Sequence, residues 1–195
     1  ELDAAGGARV RLLVTAVRRG TLAAIRLGVL SGGAVVTCSV FEDLDVLGRP
    51  RGYVEAVIAD SFLDQFVGAS VPATYALQQA ALTNNIEIAL DEYRPAGVPV
   101  AVTIGSVVLT PVRLALSYVA GVDTSAVELA ARATVVNRVN RLAPGEALSV
   151  TELRSLVQGV PGVFTTGSEI VTPAGDVVPR SLQVLRTQLS LVGVI

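Results

Sequence analysis

Side chains able to do chemistry are few in this chain and poorly grouped. Glu42, Asp43 and Asp45 lie together in a turn-rich stretch. Such a cluster suits a hard cation like calcium, but its spacing does not fill the EF-hand pattern and no bidentate Glu stands at the right distance. It reads as a solvated hairpin loop whose charge discourages edge pairing. Glu87, Asp91 and Glu92 crowd one helix end. Paired carboxylates serve acid/base work only in a cleft with a partner across the fold, and helix surfaces carry such residues routinely. Cys38 takes an apolar strand position; a reactive thiolate needs an electropositive, accessible setting, so it reads as a small core hydrophobe. The glycine pairs Gly6-Gly7 and Gly32-Gly33 fit neither the dinucleotide fingerprint nor the P-loop. Arg18-Arg19, and Arg49 with Arg51, have the chemistry to grip phosphate or carboxylate groups. With eight aromatics in the chain, four Tyr and four Phe, bases and sugars have little to stack on. These arginines read as solvated surface or as salt bridges to a protein partner.

Composition excludes more. All 15 cations are arginines, and the chain has no Lys, His, Met or Trp. Without His there is no Ser-His-Asp triad, Cys-His dyad, His-containing zinc site or His general base. Without Lys there is no P-loop lysine and no Schiff base. A single Cys allows no internal disulfide and no thiolate metal cluster. No catalytic residue, metal or cofactor site is therefore expected, and the reading is not an enzyme. A net charge of −2 and a pI near 5.2 lack the basic footprint of a nucleic-acid binder. No stretch approaches the apolar length of a membrane span; segment 28–41 is the most apolar, and Gly32, Gly33, Thr37 and Ser39 break it. The start is acidic (Glu1, Asp3) with no short apolar region behind it, so no signal peptide is expected. The first residue is Glu1 rather than Met, which reads as a removed initiator or a piece of something longer. Arginine without lysine, with abundant Ala, Val and Gly, suggests a GC-rich coding genome. The 51% apolar and 16% charged residues fit either a well-filled core or a subunit that buries surface against partners.

The elements follow from periodicity. Ala8 to Leu27 reads as a helix, with Val10, Leu13, Val14 and Val17 on one face, and Gly20-Thr21 capping a break before a short helix to about Leu30. Val36, Cys38 and Val40 alternate as a strand, and after a long loop Val54, Ala56 and Ile58 alternate as a second, making a hairpin. Residues 60–72 read as loop, with Phe62, Leu63, Phe66 and Val67 available to pack. Leu82, Ile86, Ala89, Leu90 and Tyr93 mark a helix ended by Pro95 and Gly97. Val98 to Ile104 then alternates as a strand. This order suits a small α+β layer with helices on one face of a mixed sheet.

Gly105-Ser106 marks a boundary, and a related order follows. Val112, Leu114, Leu116 and Tyr118 form a half-buried strand. A helix is expected from about Thr124 to Leu142, opened by a capping box of Ser125 with Glu128 and carrying the inner stripe Val127, Ala131, Val135, Val139 and Leu142. A second capping box, Ser149 with Glu152, opens a short helix closed by Gly159 and Pro161. Strands are expected at 163–171 and 182–191, joined by a turn at 172–176, the last one placing Leu185, Leu189 and Leu191 on one side. The expected fold is α+β: a helical segment over 1–20, a first module over 21–105 and a second over 106–195.

Several segments in series resemble the phage baseplate J-like family, the wedge subunits of contractile tails. Arg18-Arg19-Gly20-Thr21-Leu22-Ala23-Ala24-Ile25 is similar to the helix that opens the C-terminal half of that family. Asp45-Val46-Leu47-Gly48-Arg49-Pro50-Arg51-Gly52-Tyr53-Val54, running into Val57-Ile58-Ala59-Asp60, resembles its hairpin. Leu90-Asp91-Glu92-Tyr93-Arg94-Pro95-Ala96-Gly97-Val98-Pro99-Val100 resembles its helix exit. Leu114-Ala115-Leu116-Ser117-Tyr118 with Gly121-Val122-Asp123, and Leu142-Ala143-Pro144-Gly145-Glu146 leading to Leu153, Val157 and Val160-Pro161-Gly162-Val163, have counterparts in its second module. The likeness runs over about residues 15–190. The family's larger members carry a substantial N-terminal half with a Gly-Gly-Thr-Asp-Glu-like stretch; here only Ala4-Ala5-Gly6-Gly7 stands near that position.

The resemblance implies a structural role without catalytic residues. Family members assemble with other wedge proteins and with further copies of themselves, typically as six wedges around the tail hub, and sheath contraction is coupled to rearrangement of that ring. The implied location is the virion tail baseplate, assembled in the host bacterial cytoplasm, with no nucleic acid, membrane insertion or small-molecule substrate. The alternative is a small-ligand or peptide-binding α+β regulatory module. Candidate contact residues are Val10, Leu13, Val14 and Val17 in the first helix and Leu185, Leu189, Leu191 and Ile195 in the terminal strand, apolar side chains near the chain ends. The competing reading is that both elements complete their modules' cores.

Overall fold

The computed structural model describes residues 21–44, 50–60, 74–94 and 97–195. The expected helix over 8–20, with Val10, Leu13, Val14 and Val17, lies outside them, as do Phe62, Leu63, Phe66 and Val67. The chain divides into two compact units; of the described residues, those up to Gly105 belong to one and Ser106–Ile195 to the other. The described fold is α+β, with mixed sheets.

In the first unit, α1 (Leu22–Ser31) starts where Thr21 turns extended and its hydroxyl accepts from the Ala24 N–H at 3.1 Å. That is a side-chain N-cap. Strands β1 (Val35–Leu44) and β2 (Pro50–Asp60) pair antiparallel; α2 (Thr74–Leu90) then leads to β3 (Val100–Ile104), which lies parallel to β2. The sheet order is β1-β2-β3. The core joins Ile25 and Val29 of α1, Cys38 of β1, Val54, Ala56 and Ile58 of β2, and Leu82, Ile86 and Leu90 of α2. Alternation along β2 selects those three for the helix-covered face. Val57 and Ala59, on the opposite face, are fully buried too, so this strand is covered on both sides where the sequence implied only one.

In the second unit, β4 (Ser106–Leu109) pairs parallel with β7 (Gln183–Arg186), and β5 (Val112–Tyr118) lies between β6 (Val163–Thr172) and β8 (Val192–Val194). The β5–β6 pairing is antiparallel and β5–β8 parallel. Helices α3 (Thr124–Val139) and α4 (Val150–Gln158) close the core with Val127, Ala131, Val135 and Val139, and with Val150, Leu153 and Val157; Leu142, expected within the first of these helices, joins the core from just beyond its end.

Three expectations need correction here. The first turn of α3 is capped by Asp123, which accepts from the Ser125 and Ala126 N–H groups at 3.0 and 3.3 Å. Ser125 is already helical, and Glu128 is engaged by the Tyr118 hydroxyl at 2.9 Å instead of closing a box. The stretch 182–191 is not one strand: β7 ends at Arg186, a 3-10 turn spans Leu189–Leu191, and β8 joins a different sheet. The Asn140 side chain causes the break. It accepts from the Thr187 N–H at 3.0 Å and donates to the Thr187 carbonyl at 3.1 Å, taking both groups a neighbouring strand would use. The segment 172–176 does not join a hairpin, since β6 and β7 lie in separate sheets. Its Asp176 accepts from the Val150 N–H at 2.8 Å at the start of α4. There Ser149 caps as expected, although the carboxylate of Glu152 goes to Arg138.

Candidate interaction surface

Of the side chains singled out for chemistry, Arg18, Arg19 and Arg49 and the Arg51 side chain lie outside the described residues. Cys38 is buried, its Sγ 3.9 Å from the Arg26 carbonyl, and burial pushes its thiol pKa up, away from the reactive thiolate. Glu42 is exposed; the Asp43 side chain and Asp45 lie outside the described residues. Glu87, Asp91 and Glu92 are exposed on or just after α2, and Asp91 pairs with Arg94. Among the described residues, no group of three or more His, Cys, Asp or Glu stands close enough to hold a metal ion.

The polar contacts that do form tie elements together. The buried Tyr75 hydroxyl donates to Asp60 at 2.9 Å, joining the start of α2 to the end of β2. Burial first, and the Asp60 carboxylate second, push the Tyr75 phenol well above its usual range. Arg138 of α3 donates to both Glu152 oxygens at 2.7 and 2.9 Å and to Glu146 at 3.1 Å. Its hydrogen bonds hold the Glu152 carboxyl below the usual carboxylate range. Arg186 is fully buried, and its Nη1 donates to the Leu185 and Leu142 carbonyls at 2.8 and 3.3 Å. Sequence reasoning missed it: nothing local distinguishes this arginine from fourteen others, and its burial follows from where β7 lies.

The candidate contact residues separate. Leu185 is 1% exposed and belongs to the second unit's core. Leu191 is half-buried, while Leu189 and Ile195 are exposed, Ile195 to 70%. Other apolar side chains stand in solvent without having been anticipated. Leu77 is 73% and Ile88 63% exposed, both on α2. Their signal was present in the sequence, because Leu77, Ala81 and Ile88 recur at helical spacing on the face away from the core, around Asn84. Tyr75, Leu82, Ile86 and Leu90 face inward, and at about 100° per residue Leu77, Ala81, Asn84 and Ile88 point the opposite way. Depressions flank this outer face. One of about 190 Å³ lies against Gly32, Gly33 and Ala34. Another of about 300 Å³ runs beside Glu87, Ile88 and Asp91 to Arg94 and Val100. Among the described residues, no helix is long and apolar enough to cross a membrane.

No protein-family model matches the chain, and no curated protein matches it. Among solved structures, the chain is similar to a chain in the six-fold symmetrised baseplate of the anti-feeding prophage, at 12% identity and a TM-score of 0.49. The likeness covers 88% of this chain and 38% of that one. This chain thus spans well under half the length of its structural neighbour. A likeness of that degree carries no argument about activity or partners.

Proposed function

We propose that this chain is a structural subunit of a contractile-tail baseplate wedge, assembling with other wedge proteins and with copies of itself into a ring around the tail hub. The observation that carries the reading is the ordered series of segments resembling the baseplate J-like family over about residues 15–190. One feature is consistent with it: large apolar side chains such as Leu77, Ile88, Leu189 and Ile195 stand exposed. Compact modules meeting through partly apolar faces have a small number of alternative packings, and a shift between such packings is how sheath contraction would be coupled to the ring. Arginines at the rims of those faces set register more than affinity.

Imaging of the native tail particle with this chain tagged tests the proposal. The tag is expected at the baseplate ring. Its absence there overturns the reading, and a chain found as a stable monomer that binds a small ligand would replace it with the regulatory-module alternative.

A further inference from the structure

Strand β5 is covered along only part of one edge. Its odd-numbered residues turn their backbone groups toward β6: the Ser117 N–H goes to the Ser168 hydroxyl at 2.9 Å and the Val119 N–H to the Gly162 carbonyl at 3.0 Å. The even-numbered residues therefore face the other edge. There β8 pairs with Val112, Arg113 and Leu114, and the last bond runs from the Ile195 N–H to the Leu114 carbonyl at 2.9 Å. Beyond it, the N–H and C=O groups of Leu116 and Tyr118 have no strand opposite them among the described residues. Natural sheet edges are commonly blunted by charge or proline. The stretch Ala115-Leu116-Ser117-Tyr118 carries neither.

Helix α3 roofs this gap. The Tyr118 hydroxyl donates to Glu128 near the helix start, and Asn140, just past the helix end, holds Thr187 ahead of β8. The helix thus runs antiparallel to β5, above the line that β8 begins. Arg138 turns toward α4, which packs on β6. At about 100° per residue, Leu129 and Arg132 stand on the other flank of α3, over the gap. Leu129 is exposed, as are Val119 and Ile195 at the two ends of the gap. Arg132 meets Glu128 only at 3.7 Å, and its buried Nε has no hydrogen-bond partner. Alternating backbone donors and acceptors along an edge match another extended backbone. The apolar rim matches apolar side chains on that strand, and a guanidinium with a free donor matches a carboxylate. We infer that this gap takes one extended segment of a different polypeptide, which adds a strand in line with β8 and presents a carboxylate to Arg132. The inference goes beyond the baseplate reading and holds whether or not the chain serves in a tail.

The test adds a capped peptide, Thr-Val-Thr-Glu-Thr-Val-Thr, to the isotope-labelled full chain; its Val and Glu side chains share one face of a strand. Amide exchange followed by NMR should show Leu116 and Tyr118 unprotected in the chain alone. Saturation with peptide should slow both amides about tenfold or more. Replacing the Glu of the peptide by Gln should weaken binding about tenfold, and Arg132→Met should erase that difference. Leu129→Glu should weaken both peptides about tenfold. Its far-UV circular dichroism should be unchanged, because the side chain is exposed. Absence of saturable binding by either peptide overturns the inference, as does binding that leaves the two amides unprotected. A preference for Glu that is missing, or that survives Arg132→Met, overturns it as well. Protection of both amides in the chain alone, dilute or concentrated, would mean an edge closed from within or by a second copy, and also overturns it.

Discussion

Asp123 shows how a local pattern can point at the wrong residue. Ser125 and Glu128 satisfy the capping-box spacing, yet the carboxylate two residues earlier takes the N–H groups of the first turn. Asp123→Ala should therefore cost about 1 kcal/mol, and Ser125→Ala only a few tenths, as read from denaturant unfolding. Equal losses would return the cap to Ser125. The Arg138–Glu152 pair carries a pH signature. Arg138 lowers the Glu152 pKa in the folded chain, so the pair's contribution is present above the range where the unfolded carboxyl titrates. It is lost as the pH falls through the folded value. Glu152 is nearly half exposed, which keeps the effect at about 0.5 kcal/mol. Arg138→Met should show that loss at pH 7 and converge with the parent chain once the pH is below the lowered Glu152 value. A difference that persists in acid would mean the arginine acts by packing alone. Cys38 was legible from the sequence because burial of a small thiol needs only strand alternation. Arg186 was not, because its carbonyl partner at Leu142 is distant in the chain.

At the scale of elements, the contact between α1 and α2 depends on two glycines one helical turn apart. A Cβ on Gly32 would stand 2.8 Å from the Ile86 Cα, and one on Gly28 would stand 2.8 Å from the Tyr93 ring. Gly32 has a helical φ of −72°, so alanine suits the backbone there and only the close approach opposes it. Gly32→Ala should cost about 1–3 kcal/mol through overpacking. An unchanged or raised midpoint of thermal unfolding would show that the helices do not meet this closely. In β6 a comparable device works on a strand. Gly167, at φ +88°, and Ser168 accommodate the irregular register with β5. The Ser168 hydroxyl donates to the Phe164 carbonyl at 2.6 Å and accepts from the Ser117 N–H at 2.9 Å. Periodicity located this strand but not its bulge, since a bulge is defined by the partner strand.

At the scale of the molecule, each unit has a core of its own. The buried cluster of the first runs from Ile25 to Leu90, and that of the second from Val112 to Val192. Residues 106–195 expressed alone should therefore fold, with a single cooperative unfolding transition. A chain that is unfolded without residues 1–105 would make the two units one folding body. The apolar excess that first stood between core and interface divides between them. Leu185 went to the core, while Leu77, Ile88, Leu189 and Ile195 stayed outside.

The sequence alone determined most helices and strands, because a period of 3.6 or 2 in apolar residues records which face each segment buries. It also determined the absence of His and Lys, which is a matter of composition. Tertiary structure decided what depends on distant partners. It set β7 beside β4 and β8 beside β5, divided the final stretch at Thr187 and buried Arg186. It also set Tyr75, Leu82, Ile86 and Leu90 of α2 inward and left Leu77 and Ile88 exposed. Period fixes a face, but only packing decides what that face meets.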